Sequence, residues 1–189
     1  MVGLSSIEVR RLSPIRLVTL LVMILAVFAV VACTSGNSDV VFSKIDSSPT
    51  ILDLSSFDDS GFKKAREYDV VELPGATAAY MGYFTPVGSE PVQYELRVYT
   101  DHASAVDNGV SYAEEVTGED ALLRSVDVRW EEGTKDRRGG GAFSDGLTPL
   151  YGDFAVHGNV VLHCEGRDSI QSLDRCKALL QASGIGVEG

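Results

Sequence analysis

The sequence predicts an α+β fold in which two ββα-like units form one antiparallel sheet and the helices pack on one face. Two observations carry this prediction. Val92–Tyr99 alternates between apolar and polar side chains, as a half-buried strand does, and a helical pattern follows it. Tyr151–His157 and Val160–Glu165 flank the dipeptide Gly158-Asn159, which is typical of a tight hairpin, and a second helical pattern follows that hairpin.

The first unit runs from residue 78 to residue 118. Residues 78–85 are apolar and aromatic and predict a strand, and residues 86–91 contain two prolines and a glycine that predict the turn after it. The following helix begins at Asp101 and ends at Gly118. Its apolar stripe consists of Ala103, Val106, Val110 and Ala113.

The segment between the two units is less regular. Residues 119–130 suit either an extension of the helix or a short strand. Residues 131–146 are polar and rich in glycine, which predicts a mobile surface loop. The basic side chains Lys135, Arg137 and Arg138 in this loop either contact an anionic partner or belong only to a flexible connection.

The second unit ends in a helix over residues 168–183. Asp168 is placed to cap its N-terminus, Gln171 stands where the partner in a capping box would, and Gly184 ends it. The apolar face predicted for this helix consists of Ile170, Leu173, Cys176 and Leu180. In both units, similar residues connect the last strand to the helix. Duplication of one ββα unit and convergence explain this similarity equally well.

The N-terminal segment has the pattern of an exported protein: a basic head, an apolar run over residues 17–32 and a small-residue exit. The basic head consists of Arg10, Arg11 and Arg16. Val30, Val31 and Ala32 directly precede Cys33, and this motif resembles the lipobox of bacterial lipoproteins. The resemblance covers only the first thirty-odd residues. It implies cleavage before Cys33, a diacylglycerol on its sulfur, and acylation of the new amino terminus in many bacteria.

Two alternatives remain at this N-terminus. An ordinary signal peptidase that cuts near Ala32 would release the domain, but it leaves the position of Cys33 unexplained. An uncleaved membrane anchor is disfavoured because a span needs roughly 20 apolar residues, and this run is shorter and contains Thr19. Under each alternative the arginines stay inside and the domain is exported.

The resemblance to a lipoprotein also gives the expected segment boundaries and location of the protein. It implies a cleaved signal peptide over residues 1–32 and a lipidated Cys33, which a flexible tether to residue 50 follows. The length and the patterns of the remaining residues, 51–189, predict a single α+β domain. The expected location is the bacterial cell membrane, with the lipid-anchored domain on the extracytoplasmic side.

The charge of the mature domain restricts its partners. The full chain has a formal net charge of -11, and loss of residues 1–32 removes a net +2 and leaves -13. An acidic surface disfavours nucleic acid and anionic lipid headgroups. The expected partners are the membrane, through the anchor, and an envelope protein or a small-molecule ligand. No cofactor is implied.

The cysteine count agrees with export. With Cys33 assigned to the lipobox, Cys164 and Cys176 remain as an even pair in an oxidising compartment and are expected to form a disulfide. Such a bridge closes a loop of about 13 residues. The rival interpretation, a zinc or catalytic thiol site, lacks the paired spacing of a zinc knuckle.

The histidines and serines form no convincing catalytic or metal site. His157 and His163 are expected on opposite faces of the hairpin, where they cannot share a metal ion, and His102 is expected to be exposed in the first turn of a helix. Serine motifs are limited to Ser60-Gly-Phe-Lys63, which lacks the companion motifs of penicillin-binding enzymes. P-loop, dinucleotide-binding and HExxH motifs do not occur.

Aromatic side chains concentrate on the first hairpin, where they either line a ligand surface on the sheet face away from the helices or pack in the core. They are Tyr80, Tyr83, Phe84, Tyr94 and Tyr99. The leading functional hypothesis is a lipid-anchored, non-enzymatic binding or accessory module. The alternative is an envelope hydrolase with a scattered active site, which a histidine beside a carboxylate in a cleft would favour. A purely structural role also stays open.

Overall fold

The computed structural model describes residues 42–139 and 146–186. Six strands form one sheet in the order β1-β7-β8-β4-β3-β2, and β5 pairs with β6 separately. Neighbours in the large sheet are antiparallel except for the parallel pair β1 and β7. The strands are β1 (Ile45–Asp46), β2 (Lys63–Tyr68), β3 (Ala76–Phe84), β4 (Val92–Tyr99), β5 (Arg138–Gly139), β6 (Thr148–Pro149), β7 (Tyr151–His157) and β8 (Val160–Glu165).

Two helices accompany this sheet, and the α+β class predicted from the sequence is confirmed. Helix α1 begins at His102–Ser104, continues through a π-helical turn at Ala105–Gly109 and ends with Val110–Glu114. Helix α2 spans Ser169–Ala182. Short 3-10 helices lie at Leu54–Ser60 and Thr134–Asp136.

Both main helices begin where an aspartate caps them. The carboxylate of Asp101 accepts a hydrogen bond from the backbone N–H of Ser104 at 2.7 Å, and that of Asp168 accepts one from Gln171 at 2.8 Å. Each bond satisfies a donor that the first helical turn leaves without a partner. The helix starts were therefore predictable from the two aspartates.

The two helices lie on opposite faces of the sheet, so the prediction that they share one face is wrong. Helix α2 contributes Cys176, Leu179 and Leu180 to the core that contains Leu162 of β8. Helix α1 contributes its small side chains to a separate core that contains Val161 of β8. Successive residues of a strand point to opposite faces, and both faces of β8 are apolar enough to need a cover.

The π-helical turn explains which side of α1 faces the sheet. One extra residue in this turn shifts the buried positions to Ala105, Gly109 and Ala113, whereas Ala103 of the predicted stripe is exposed. A Cβ atom at Gly109 would lie 2.8 Å from the ring of Tyr99 and 2.9 Å from Val161. The absence of a side chain there therefore lets α1 approach the sheet closely.

The ordered domain begins before residue 51, earlier than expected from the sequence. The carbonyl of Lys44 accepts a hydrogen bond from the N–H of Val156 at 2.8 Å, and the carbonyl of Asp46 accepts one from Gly158 at 3.0 Å. Ile45–Asp46 therefore belongs to the sheet, within the range over which the sequence predicts a tether. Within the two described ranges, no helix is both long and apolar enough to cross a bilayer.

A disulfide joins β8 to α2. Cys164 and Cys176 form this bond with a Cα–Cα distance of 5.6 Å, and both cysteines are fully buried. The alternation of β8 turns Cys164 toward α2, where the buried face of the helix presents Cys176. Ile170 was also expected on that face but is exposed.

Loss of this disulfide is expected to destabilise the domain. In the full chain, the double substitution Cys164→Ala/Cys176→Ala should lower the free energy of unfolding by about 3 kcal/mol, because it frees a loop with a sequence separation of 12. Urea titration with and without reductant measures this change. Reduced wild type should approach the double variant, which itself should not respond to reductant. An unchanged wild-type midpoint on reduction would contradict the expectation.

Candidate functional site

A fully buried ionic cluster lies on the sheet face that α1 covers. Glu95 and Arg97 are two residues apart on β4 and therefore point to the same side. One carboxylate oxygen of Glu95 accepts a hydrogen bond from Nε of Arg97 at 2.7 Å, and the other accepts one from Nε of Arg137 at 2.7 Å. All three side chains are at most 2% exposed. We call these three residues the ionic cluster.

Arg137 lies in the segment that the sequence predicts to be a mobile surface loop, and for this part of the loop the prediction is wrong. Its Nη2 donates a hydrogen bond to the carbonyl of Glu132 at 2.6 Å, and Thr134 is buried beside it. The loop packs on the sheet because its arginine reaches the carboxylate of Glu95. Of the other two basic side chains, Lys135 is exposed and Arg138 donates to a backbone carbonyl.

Trp130 closes the ionic cluster from outside. Cζ of Arg137 lies 4.3 Å from the centroid of the indole ring, and Cζ of Arg97 lies 4.9 Å from it. The ring of Tyr68 meets the indole edge-on at a centroid distance of 6.0 Å. Cation–π contacts of this kind strengthen when water is excluded, and only 2% of Trp130 is exposed.

A second set of hydrogen bonds fastens the same loop to the sheet. Nε2 of Gln93 donates to the backbone carbonyl of Asp136 at 2.7 Å and to the hydroxyl of Tyr151 at 2.9 Å. The hydroxyl of Tyr68 donates to the carboxylate of Asp136 at 2.8 Å, and Arg66 forms an ion pair with that carboxylate at 3.0 Å. The loop is thus held by β2 and β4 together.

The electrostatics of the ionic cluster leave it with one excess positive charge. Burial alone would raise the pKa of Glu95, but Arg137 and Arg97 outweigh burial and lower this pKa to about 2. Beside the cluster, burial and then the charge of Arg97 hold the pKa of His163 well below its ordinary value. Two guanidinium groups therefore face one carboxylate and a neutral imidazole.

Outside the ionic cluster lies a cavity of about 490 Å³, which we call the Trp130 cleft. Its lining contains five carboxylate side chains and two cationic ones. The lining residues are Arg66, Asp69, Val71, Glu72, Ser125, Trp130, Glu131, Glu132, Gly133, Thr134, Lys135 and Asp136. The inner wall of the cleft is thus the loop that Arg137 holds in place.

A second cavity, of about 510 Å³, contains His157 and lies on the α2 side of the sheet. Nδ1 of His157 is 3.0 Å from a carboxylate oxygen of Asp46, but the geometry is not that of a hydrogen bond. Burial lowers the pKa of His157, although Asp46 opposes this effect. We call this cavity the His157 pocket; it is lined by Asp46, Ser47, Ser48, Pro49, Thr50, His157, Gly184, Ile185 and Gly186.

The DUF6810 family, described as a family of unknown function, has a model that matches residues 50–183, more than two thirds of the chain. The chain belongs to the DUF6810 family. No curated protein and no solved structure matches the chain. The region shared with DUF6810 includes the ionic cluster, the Trp130 cleft and both disulfide cysteines, and it begins after the lipobox residues.

The three histidines form no common site in the described part of the chain, and the lipobox residues lie outside that part. His157 and His163 lie on opposite faces, and His102 is half-buried with Nδ1 2.9 Å from the carbonyl of Gly158. In the described part of the chain, no three His, Cys, Asp or Glu side chains form a group that could hold a metal ion. Cys33 and the lipobox residues Val30, Val31 and Ala32 lie outside the described residues.

The aromatic side chains of the first hairpin divide between the two faces and form no common ligand surface. Tyr80, Phe84 and Tyr94 belong to the core under α2, whereas Tyr99 belongs to the core under α1. Tyr83 is exposed beside the edge strand β2. Core packing therefore accounts for most of these aromatic side chains.

The ionic cluster was missed because its residues alternate with apolar ones and so resemble the polar side of a half-buried strand. One signal was present in the sequence: Glu95 and Arg97 have opposite charges and are two residues apart, so they share a face. The partner Arg137 lies 42 residues further along the chain, and no local pattern connects it to β4.

Glu95→Gln should destabilise the domain by about 3 kcal/mol at neutral pH, because it leaves two buried guanidinium groups without a carboxylate. The low pKa of Glu95 stabilises the fold fully above pH 4.5, the ordinary value of the group. This contribution is lost as the pH falls toward about 2. The variant should therefore lose the part of the acid dependence that lies between these two values.

Urea unfolding of the full chain at a series of pH values measures both effects. Glu90→Gln, in the exposed turn after β3, is the matched control and should follow the wild-type profile. An equal slope of stability against pH in Glu95→Gln and wild type would show that Glu95 does not carry this dependence.

Proposed function

We propose that this chain is a lipid-anchored, non-enzymatic binding or accessory protein of the bacterial cell envelope, and that the Trp130 cleft is its binding surface. The lipobox-like motif before Cys33 supports the anchor and the extracytoplasmic location. The Cys164–Cys176 disulfide is consistent with an oxidising compartment.

The observation that carries the binding role is the way the loop of the Trp130 cleft is held. A buried ion pair contributes little net stability compared with apolar side chains of the same volume, but it specifies one arrangement of the groups it joins. Here it joins β4 to the loop through Arg137, whose guanidinium group contacts the Trp130 ring behind the cleft. A loop supported in this way by a rigid sheet is the usual setting of a binding site.

The charges of the cleft indicate the chemistry of the partner. Asp69, Glu72, Glu131 and Glu132 line it, and the fifth carboxylate, that of Asp136, is already paired with Arg66. Charge complementarity favours basic groups on the partner and speeds the encounter with them. A basic segment of another envelope protein fits this description.

A hydrolase is the second candidate, because His157 lies beside Asp46 in a cavity with hydroxyl side chains. The imidazole is neutral at neutral pH, as a general base must be. However, within residues 42–139 and 146–186 no serine or threonine hydroxyl forms a hydrogen bond with His157. The pair thus lacks the oriented nucleophile that covalent catalysis requires.

Cys33→Ser should abolish the anchor. Because the proposed lipid is attached to the sulfur of Cys33, the variant should lose fatty-acid labelling and should leave the membrane fraction or retain its signal peptide. Labelling with a fatty-acid analogue, followed by fractionation, measures this loss. The double variant Cys164→Ala/Cys176→Ala is the control and should label normally. Persistent labelling of Cys33→Ser would overturn the anchor.

Reversal of charge at the rim of the cleft should remove the partner. The double substitution Glu131→Lys/Glu132→Lys changes two exposed side chains and leaves the backbone carbonyls that hold Arg137 and Thr134. Capture from detergent extracts on the immobilised full chain should return the same partner with wild type and with the Glu90→Lys control, and should lose it with the double variant. Equal capture by all three chains would place the binding surface elsewhere.

A further inference from the structure

The guanidinium group of Arg97 is buried with two of its three nitrogens unsatisfied. Its Nε donates to Glu95, but among the described residues Nη1 and Nη2 have no hydrogen-bond partner. Arg97 is fully buried, so bulk water does not reach these atoms. Buried polar groups without partners are rare in proteins, and each one calls for an explanation.

Three further polar atoms near Arg97 are also buried without satisfying their hydrogen-bonding capacity. The hydroxyl of Tyr99 and both ring nitrogens of His163 are buried, and none of them forms a hydrogen bond of good geometry in the described part of the chain. Tyr99 follows Arg97 by two residues on the same face of β4, and His163 pairs with Glu95 across β8. The unsatisfied atoms therefore lie on one face of two adjacent strands.

These groups share a chemical character, since all of them can donate a hydrogen bond. A guanidinium group has donors only, and a tyrosine hydroxyl and a neutral imidazole each have one N–H or O–H to give. The surrounding charge is also unbalanced, because within the described ranges Arg97 and Arg137 form ion pairs with Glu95 alone. Water supplies acceptors for such donors but no negative charge, and an unbalanced charge is strongly unfavourable in a protein interior.

We propose that Nη1 and Nη2 of Arg97, the hydroxyl of Tyr99 and one ring nitrogen of His163 bind a single small monovalent anion of halide size between the sheet and Trp130. The anion balances the excess charge of the ionic cluster and accepts the hydrogen bonds that the protein leaves unsatisfied. A monovalent ion matches the single excess positive charge of the ionic cluster, which a divalent anion such as sulfate would overcompensate. This site is separate from the Trp130 cleft, which lies on the other side of the indole.

Trp130 reports directly on this site, because it is the single tryptophan of the chain and its ring lies 4.9 Å from Cζ of Arg97. A bromide ion bound to Arg97 would quench the indole fluorescence by contact. Bromide that merely collides from solution would quench it weakly, since Trp130 is 2% exposed. Sodium bromide is titrated into the full chain in detergent, with sodium sulfate to hold the ionic strength constant.

The expected result is saturable quenching without a change of fluorescence lifetime, reversed by chloride and not by sulfate. Arg97→Met should abolish saturation and the competition by chloride. This variant should still fold, because Glu95 and Arg137 remain as a balanced pair. Tyr99→Phe, which loses one donor, should weaken bromide binding about tenfold, as expected for a hydrogen bond to a charged group.

Two results would overturn the proposal. Quenching that rises linearly with the bromide concentration and is not reversed by chloride would show that water alone satisfies these atoms. Saturable quenching that persists unchanged in Arg97→Met would place the anion elsewhere. If Arg97→Met fails to fold, the competition between bromide and chloride in the wild type decides between an anion and water, and Tyr99→Phe decides its position.

Discussion

The carboxylate of Glu95 is the group on which the arrangement of one face of this protein depends. It lies on a central strand, and each of its two oxygens accepts a hydrogen bond from a different arginine. Removal from water makes this charge unfavourable unless both partners are present. The position of Arg137 sets the path of the loop, and the loop forms the inner wall of the adjoining cleft with Trp130 at its start.

Different interactions stabilise the packing on the two faces of the sheet. Under α2 the core consists of aliphatic and aromatic side chains and a disulfide, which depend little on pH or ionic composition. Under α1 and the loop that contains Arg137, the interior contains charges, a neutral histidine and several polar side chains. The buried charges in the described part of the fold therefore lie on the second face, which also supports the proposed binding surface.

Local sequence patterns predicted those elements whose signals lie within a few residues. The hairpin of β7 and β8 followed from alternation around Gly158-Asn159, and α2 followed from the capping aspartate Asp168. The residues of α1 that face the sheet were not predictable, because they depend on an extra residue in a π-helical turn. Strand β1 was missed because two residues that pair with a distant strand leave no periodic pattern.

The same distinction holds for the candidate site. Opposite orientations of His157 and His163 followed from the period of a strand, whereas burial of Glu95 and Arg97 did not. A charged face of a strand ordinarily meets solvent, and it can be buried only if counterions arrive from elsewhere in the chain. Arg137 is such a counterion. Because it lies 42 residues away from Glu95 along the chain, no local sequence pattern connects the two residues.

If Cys33 anchors the domain to a membrane, as proposed above, the attachment of β1 has a mechanical consequence. Strand β1 is an edge strand that receives two backbone hydrogen bonds from the β7 hairpin, whereas Leu52 is held in the interior by both ends of the Asn159 amide. Tension on the tether would peel off the segment between these two points and leave the rest of the fold in place. An extended segment of roughly eight residues adds about 25 Å of reach. With the proposed anchor, release of β1 would therefore let the distance between membrane and domain increase while the rest of the fold stays intact.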